Sequence, residues 1–257
     1  MKRLITALIL VPIFVYLVVW SPQPVFLAAV AAVGVLCFYE YAGLVEHHNI
    51  RQPGIFGYVA GVLVLFLPRP DVLFIVLIAL LALALAMTSR ELTGALPFAA
   101  ALIFGVLYIF GALRSGIALR GMNVYWLLFA LSVNWVGDVA AYYVGRALGR
   151  HKLAPRISPG KTWEGAVAST LLSIVYGYFY FAYVLKPALP LAWPIAIAAC
   201  GNIAGQIGDL CESAIKRGAG VKDSGTMLPG HGGWLDRIDS SLFALPVIHF
   251  MATLAAH

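Results

Sequence analysis

Apolar runs too long and too numerous for a soluble core recur along the whole chain. One extends from Leu4 to Trp20, and others follow near 24–46, 54–67, 71–88, 95–113, 122–145, 163–185, 189–214 and 237–256. A helix needs about 20 mostly apolar residues to cross a bilayer core. Only helices and closed barrels satisfy their own backbone groups there. The spacing predicts an all-α, polytopic integral membrane protein of about nine transmembrane helices. Eight is the main alternative, because the run at 54–67 is short and stops at Pro68. Charged residues make up 11% of the 257, against about 25% in ordinary soluble domains. Little room is left for a separate soluble domain. We read one continuous membrane domain, with N-terminal helices over 1–120 and a polar-chemistry-bearing region over 121–257.

Met1-Lys2-Arg3 ahead of an apolar run looks like a secretory signal, but no small-residue cleavage site follows it. An uncleaved first helix is expected, turning at Ser21-Pro22-Gln23-Pro24. With the N-terminus inside, only Arg69, Arg114, Arg120 and Lys186 fall outside, and the other 13 of the 17 Lys and Arg residues fall inside. This bias predicts a cytoplasmic N-terminus and an outer C-terminus. It also places the loops 146–162 and 215–237 at the inner face of the cell membrane, within reach of nucleotides and inner-leaflet lipid. The net charge of +6 is then a topology signal, and no nucleic-acid partner is expected. Cys37, Cys200 and Cys211 are scattered through apolar runs and read as packing residues, without metal-ligand spacing or a disulfide framework. No internal repeat is visible, which disfavours transporters built from duplicated halves.

Polar side chains inside such a chain are costly unless partnered or wet. Asn202, Gln206, Asp209, Glu212/Ser213 and Lys216 recur every three or four residues, forming one stripe on a helix. Gly201, Gly205 and Gly208 lie beside it and allow another helix or a ligand to come close. The stripe reads either as interhelical hydrogen-bond glue or as a site; for Asp209 glue is the poorer account, since an amide would serve. A second polar face, Asn134, Asp138 and Tyr142, leads through Gly145-Arg146 into a basic loop containing Ser158, Lys161 and Thr162. Ser158-Pro159 fits a helix N-cap followed by proline, and a helix start beside Lys161 and Thr162 suits an anion. Gly160-Lys161-Thr162 is not a Walker A end, because Pro155 stands where its first glycine belongs.

Between Ser213 and Asp239 the chain concentrates Lys216, Arg217, Lys222, Asp223, His231, Asp236 and Arg237 around a Pro-Gly-His-Gly-Gly turn. Carboxylates from separate helices suit Mg²⁺, which takes oxygen ligands and shares them with phosphates. Lysines and arginines neutralise the remaining phosphate charge. These parts indicate phosphoryl or nucleotidyl transfer at a membrane surface.

The pattern Ser213-x-Ile215-Lys216-Arg217, four residues, Lys222-Asp223, then Leu228-Pro229-x-His231-Gly232-Gly233-x-x-Asp236-Arg237-x-Asp239 resembles the signature of the phosphatidate cytidylyltransferase (CDP-diacylglycerol synthase) family. Gly137-Asp138, Tyr142-x-x-Gly145-Arg146 and Ser158-Pro159-x-Lys161-Thr162-Trp163-Glu164-Gly165 resemble that family's second motif region. The resemblance covers 137–165 and 201–240; the N-terminal half is similar only in its multi-span character, and Trp234 stands where the family carries an aliphatic residue or Phe.

The resemblance implies that CTP and phosphatidic acid react to CDP-diacylglycerol and pyrophosphate. It implies Mg²⁺, with room for a second cation, on Asp209 and Asp236, with Asp138, Asp223 and Asp239 as further ligands or orienting groups. Lys216, Arg217, Lys222 and Arg237 are then the catalytic cations. Ser158, Lys161, Thr162, Ser213, Asp223, His231, Asp239 and Asn202 are expected to bind substrate, and the glycine-lined helix faces permit a homodimer. The enzymatic alternative is a CTP-dependent polyprenol or lipid kinase, and the non-enzymatic one an ion-coupled transporter using Asp138 and Asp209. A CDP-alcohol phosphotransferase is disfavoured, because its run of spaced aspartates is missing. The compact length suits a bacterial-type enzyme.

Overall fold

The computed structural model describes residues 12–67, 72–88, 91–186, 189–228, 230 and 232–256. Lys2, Arg3, most of the first apolar run, Arg69, Arg90, Pro229 and His231 lie outside the described residues; of that first run, 12–19 is helical. Eight further helices follow: α1 Gln23–His47, α2 Gly54–Phe66, α3 Val72–Ala86, α4 Leu92–Met122, α5 Val124–Leu148, α6 Trp163–Leu185, α7 Ala192–Gly218 and α8 Leu235–Ala255. The predicted apolar runs and these helices agree closely.

Among the described residues, α1, α4, α5, α6 and α8 are long and apolar enough to cross a membrane. This is the architecture of a multi-pass membrane protein. With 13 and 15 residues, α2 and α3 extend only about 20 Å at 1.5 Å per residue, short of a bilayer core of about 30 Å. The 27 residues of α7 are ample, but its polar stripe lowers its hydropathy. Outward-facing Leu80, Leu81, Val167, Leu171 and Phe250 are exposed, as lipid-facing side chains would be.

Among the described residues, the paired strands that depart from an all-helical reading form a hairpin between α5 and α6. Strand β1, Lys152–Ala154, pairs antiparallel with β2, Ser158–Thr162. The expected cap at Ser158 is therefore corrected: Ser158 and Pro159 belong to a strand, and α6 starts later. Its N-cap is Thr162, whose Oγ1 accepts from Gly165 N at 3.2 Å. Proline fits this extended backbone as readily as a first helical turn.

The chain forms two compact units. One comprises Gln23–Arg114 and Ile215–Arg237; the other comprises Ser115–Ala214 and Ile238–His257, with the segment ending at Pro22. The first has an aromatic core in which rings are set against glycines. Phe110 lies on Gly61, Phe38 on Gly57 and Tyr41 on Gly105, where added Cβ atoms would strike the rings. Phe38 is fully buried and meets the rings of Tyr41, Tyr58 and Phe110. Arg114 donates to the carbonyls of Val64 and Leu65 at 2.9 and 3.0 Å, closing the C-terminal turn of α2.

The second unit packs Phe129 against Tyr176, Tyr180 and Phe181. Its α5 and α6 cross on Gly137, Gly145 and Gly165: an added Cβ at Gly165 would lie 2.9 Å from Ala141 O. Gly137→Val should cost about 1–3 kcal/mol by overpacking, because its new Cβ would meet Ser169 Oγ at 2.5 Å and Ser173 Oγ at 2.9 Å. Gly43→Ala in α1 meets nothing within 4 Å and should gain about 0.5–1 kcal/mol. Thermal unfolding in one detergent checks both; equal midpoints would contradict the packing.

Candidate active site

In the second unit the polar faces of α5 and α7 meet the hairpin around a cavity of about 650 Å³, lined by Asn134, Asp138, Tyr142, Arg146, Lys152, Ser158, Lys161, Thr162, Ser169, Gln206, Asp209 and Ser240. Each reaches it for a local reason. Asn134 and Asp138 are one helical turn apart on α5. Antiparallel pairing of Lys152 with Thr162 and Ala154 with Ser158 folds the basic loop back on itself, which brings Lys152 and Lys161 to one place. The hairpin base is fastened by Trp163 N donating to His151 O at 2.9 Å and by the His151–Glu164 pair at 2.7 Å.

Lys161 Nζ lies 2.5 Å from Asp209 Oδ2, with side chains 28% and 33% exposed, and Ser213 Oγ donates to Asp209 Oδ1 at 3.3 Å. Asp138 feels both the negative charge of Asp209 and the positive charge of Lys161. Two carboxylates therefore share one cavity with several cations. A partly solvated ion pair is worth little net energy, so the Lys161–Asp209 contact can open for a ligand at small cost.

Asn202, 1% exposed, sits in a network linking α6 and α7. Its Oδ1 accepts from Ser169 Oγ, Thr170 Oγ1 and Gln206 Nε2 at 3.3, 3.1 and 2.6 Å. Interhelical glue is what the structure gives this residue. Asn134, by contrast, is 3% exposed, and both its amide atoms are buried without a protein hydrogen bond; such unmet polar demand suits a polar ligand or water. The glycines beside the stripe are used within the chain. Gly201 faces Ile248, Gly205 faces Asn134 and Gly208 faces Phe243 and the Asp239 carbonyl. The Asp239 carboxylate accepts from Ser240 N at 2.6 Å.

The first unit holds a second polar cluster. Lys216 at the end of α7 and Asp236 in the first turn of α8 form an ion pair of 2.5 Å, with side chains only 10% and 4% exposed. Asp236 Oδ2 accepts from Ser224 N at 2.9 Å and Gly233 N at 2.7 Å. The chain turns tightly to allow this: Leu228 N donates to Gly232 O at 2.9 Å, and Gly232 has φ 78°, which glycine adopts without strain. Arg217 donates to Val221 O at 3.1 Å and is exposed, as are Lys222, Asp223 and Arg237.

The sequence reading passed over Glu40 in α1. It is 3% exposed, and its carboxylate accepts from Trp234 N at 3.0 Å and Leu235 N at 2.9 Å. Ser224 Oγ lies 2.9 Å from Glu40 and 3.0 Å from Asp236. The signal was present: an acid in the apolar run Leu36-Cys-Phe-Tyr-Glu40-Tyr-Ala is expensive there and marks a functional position.

As a metal centre, the second-unit cavity is sparse. Among the described residues no three His, Cys, Asp or Glu side chains converge to hold an ion. Two carboxylates beside phosphate-binding cations nonetheless fit Mg²⁺, which completes its shell with water and substrate phosphate and needs no protein cage.

Against known proteins, the model of the cytidylyltransferase family matches residues 1–255. The chain belongs to the cytidylyltransferase family. Its relatives include a protein named phosphatidate cytidylyltransferase from Bacillus subtilis (strain 168), 32% identical over 98% of this chain and 97% of that one. Proteins of the same name from Brucella suis biovar 1 (strain 1330) and Staphylococcus haemolyticus (strain JCSC1435) are 36% and 34% identical, covering 99% and 97% of this chain and 93% and 97% of theirs. The match extends through the N-terminal half, where the sequence resemblance rested on multi-span character alone.

The two ion pairs should differ in stability. Lys216→Met strands a buried carboxylate and should cost about 3 kcal/mol. Lys161→Met breaks a partly solvated pair and should cost less than about 1 kcal/mol. Thermal unfolding of the purified variants checks the order, and a larger loss at Lys161 would reverse it.

Proposed function

We propose that this chain is a phosphatidate cytidylyltransferase, transferring CMP from CTP to phosphatidic acid to give CDP-diacylglycerol and pyrophosphate. The observation that carries the reading is near full-length similarity to relatives so named. The cavity supports it by gathering Asp138, Asp209, Lys161, Lys152 and Arg146, a donor set suited to a polyphosphate and its cation.

In this reading a phosphatidate oxygen attacks the α-phosphorus of CTP, and the bond from that phosphorus to the bridging oxygen of pyrophosphate breaks. The nucleophile is already an anion, so no side chain has to remove a proton. The protein's task is alignment and charge neutralisation. Lys161, Ser158 and Thr162 hold phosphate oxygens at the hairpin, and Lys161 is released from Asp209 as it does so. Asp209 and Asp138 would hold Mg²⁺, which would supply Lewis-acid stabilisation of phosphate charge. Asp236 would hold the same class of ion once Lys216 turns its ammonium to a phosphate. Arg217, Lys222 and Arg237 are exposed cations for the same anions, and Asp223, Asp239 and Ser213 orient the groups beside them. His231, in its Pro-Gly-His-Gly-Gly turn, is a further donor to phosphate.

About nine apolar segments with a cytoplasmic N-terminus belong to the same proposal; α2 and α3, too short to cross singly, enter and leave as a pair and so do not change the sidedness of the loops after them. They put the hairpin on the inner face of the cell membrane, where CTP and phosphatidic acid meet. Five apolar helices and the excess of inner Lys and Arg support that placement.

Purified protein in mixed micelles with labelled CTP, phosphatidic acid and Mg²⁺ should yield a lipid-soluble labelled product and pyrophosphate. Release of CDP instead would point to a lipid kinase, and solute flux without CTP to a transporter. Lys161→Ala should lower kcat/KM by about 10²–10³-fold, the range for losing one preorganised charge-stabilising group. Asp209→Asn and Asp138→Asn should do at least as much; near-normal turnover in either removes that residue from the metal assignment.

A further inference from the structure

The strongest feature outside the cavity is Glu40. A carboxylate 3% exposed within an apolar helix is costly, and a hydrophobic residue would pack α1 at no such cost. Its partners show what the charge serves. Trp234 N and Leu235 N, the opening donors of α8, point at its two oxygens. Ser224 Oγ, at the other end of the same loop, lies 2.9 Å from Glu40 Oε2. The loop is also shaped to receive it: an added Cβ on Gly225 would lie 2.5 Å from Glu40 Oε1, and Gly233 has no room for one.

These contacts grip both ends of the segment that aligns Asp236. Ser224 and Gly233 are the residues whose backbone N–H groups hold Asp236 Oδ2, and Asp236 Oδ1 faces Lys216. We infer that Glu40 is a positioning residue: from 195 positions away in sequence, it fixes Ser224 and Trp234–Leu235 at the two ends of the loop and so holds Asp236 and Lys216 in register for the reaction. It touches neither substrate nor reacting atoms in this account. The inference rests on the cytidylyltransferase reading, in which the Lys216–Asp236 cluster serves catalysis.

Glu40→Gln keeps the volume but turns one acceptor into an amide donor facing other donors. Kcat for CDP-diacylglycerol formation, per folded enzyme, should fall about tenfold or more, since a displacement of about 1 Å can cost 10²-fold. KM for CTP should move far less. Ser224→Ala should lower kcat by a smaller factor, and the double variant should lose less than the product of the two, because both act through one loop. Hydrogen exchange should show lost protection at 224–235 in Glu40→Gln, with the other helices unchanged.

A lower unfolding midpoint with wild-type kcat in the folded fraction would reduce Glu40 to a stability residue and overturn the inference. Unchanged protection at 224–235 would overturn it too. If Glu40→Gln does not fold, wild-type kcat in Ser224→Ala does the same. Should the wild-type protein make no CDP-diacylglycerol, the functional reading fails, and the exchange experiment still decides whether Glu40 holds the loop.

Discussion

Charge that is removed from water has to be matched on the spot, and this constraint organises the polar half of the protein. Three carboxylates are answered in three ways. Glu40 is met by backbone N–H groups at a helix start, where the aligned peptide dipoles favour negative charge. Asp236 is met by an ammonium and two more backbone donors. Asp209 has a lysine and a serine hydroxyl but remains a third exposed. The gradient from sealed to open separates groups that hold the backbone from groups left accessible to a ligand.

The same economy explains where regular structure stops. A loop rich in glycine and charge can exist between apolar helices only if its backbone donors find acceptors, and Glu40 and Asp236 provide them. The basic loop after α5 solves the problem by pairing with itself as a two-stranded hairpin. In both places, backbone hydrogen bonding decides where the charged side chains stand.

Helix positions could be read from the sequence because apolar length alone dictates them in a membrane protein. The i, i+4 spacing of Asn134 and Asp138, and the stripe through Asp209, likewise told which side chains share a face. What periodicity could not reveal was pairing across long separations. Nothing local in Leu36-Cys-Phe-Tyr-Glu40 says that its acid caps a helix nearly two hundred residues later. Ser158-Pro159 suited a helix start and a strand equally, and the choice fell to Thr162 because hairpin pairing delays the helix. Gly201, Gly205 and Gly208 announced close approach, but only three dimensions show that the visitors are Ile248, Asn134 and Phe243.

The ring-on-glycine packing of the first unit bears on how this family can diverge. Phe110 occupies the space a side chain at 61 would need. A lineage that acquires alanine or anything larger there must shrink or displace the ring at 110, and the reverse change leaves a hole that a larger residue at 61 could fill. Positions 61 and 110 should thus covary among relatives as a pair, tracing an evolutionary linkage between two helices that single-site conservation would miss.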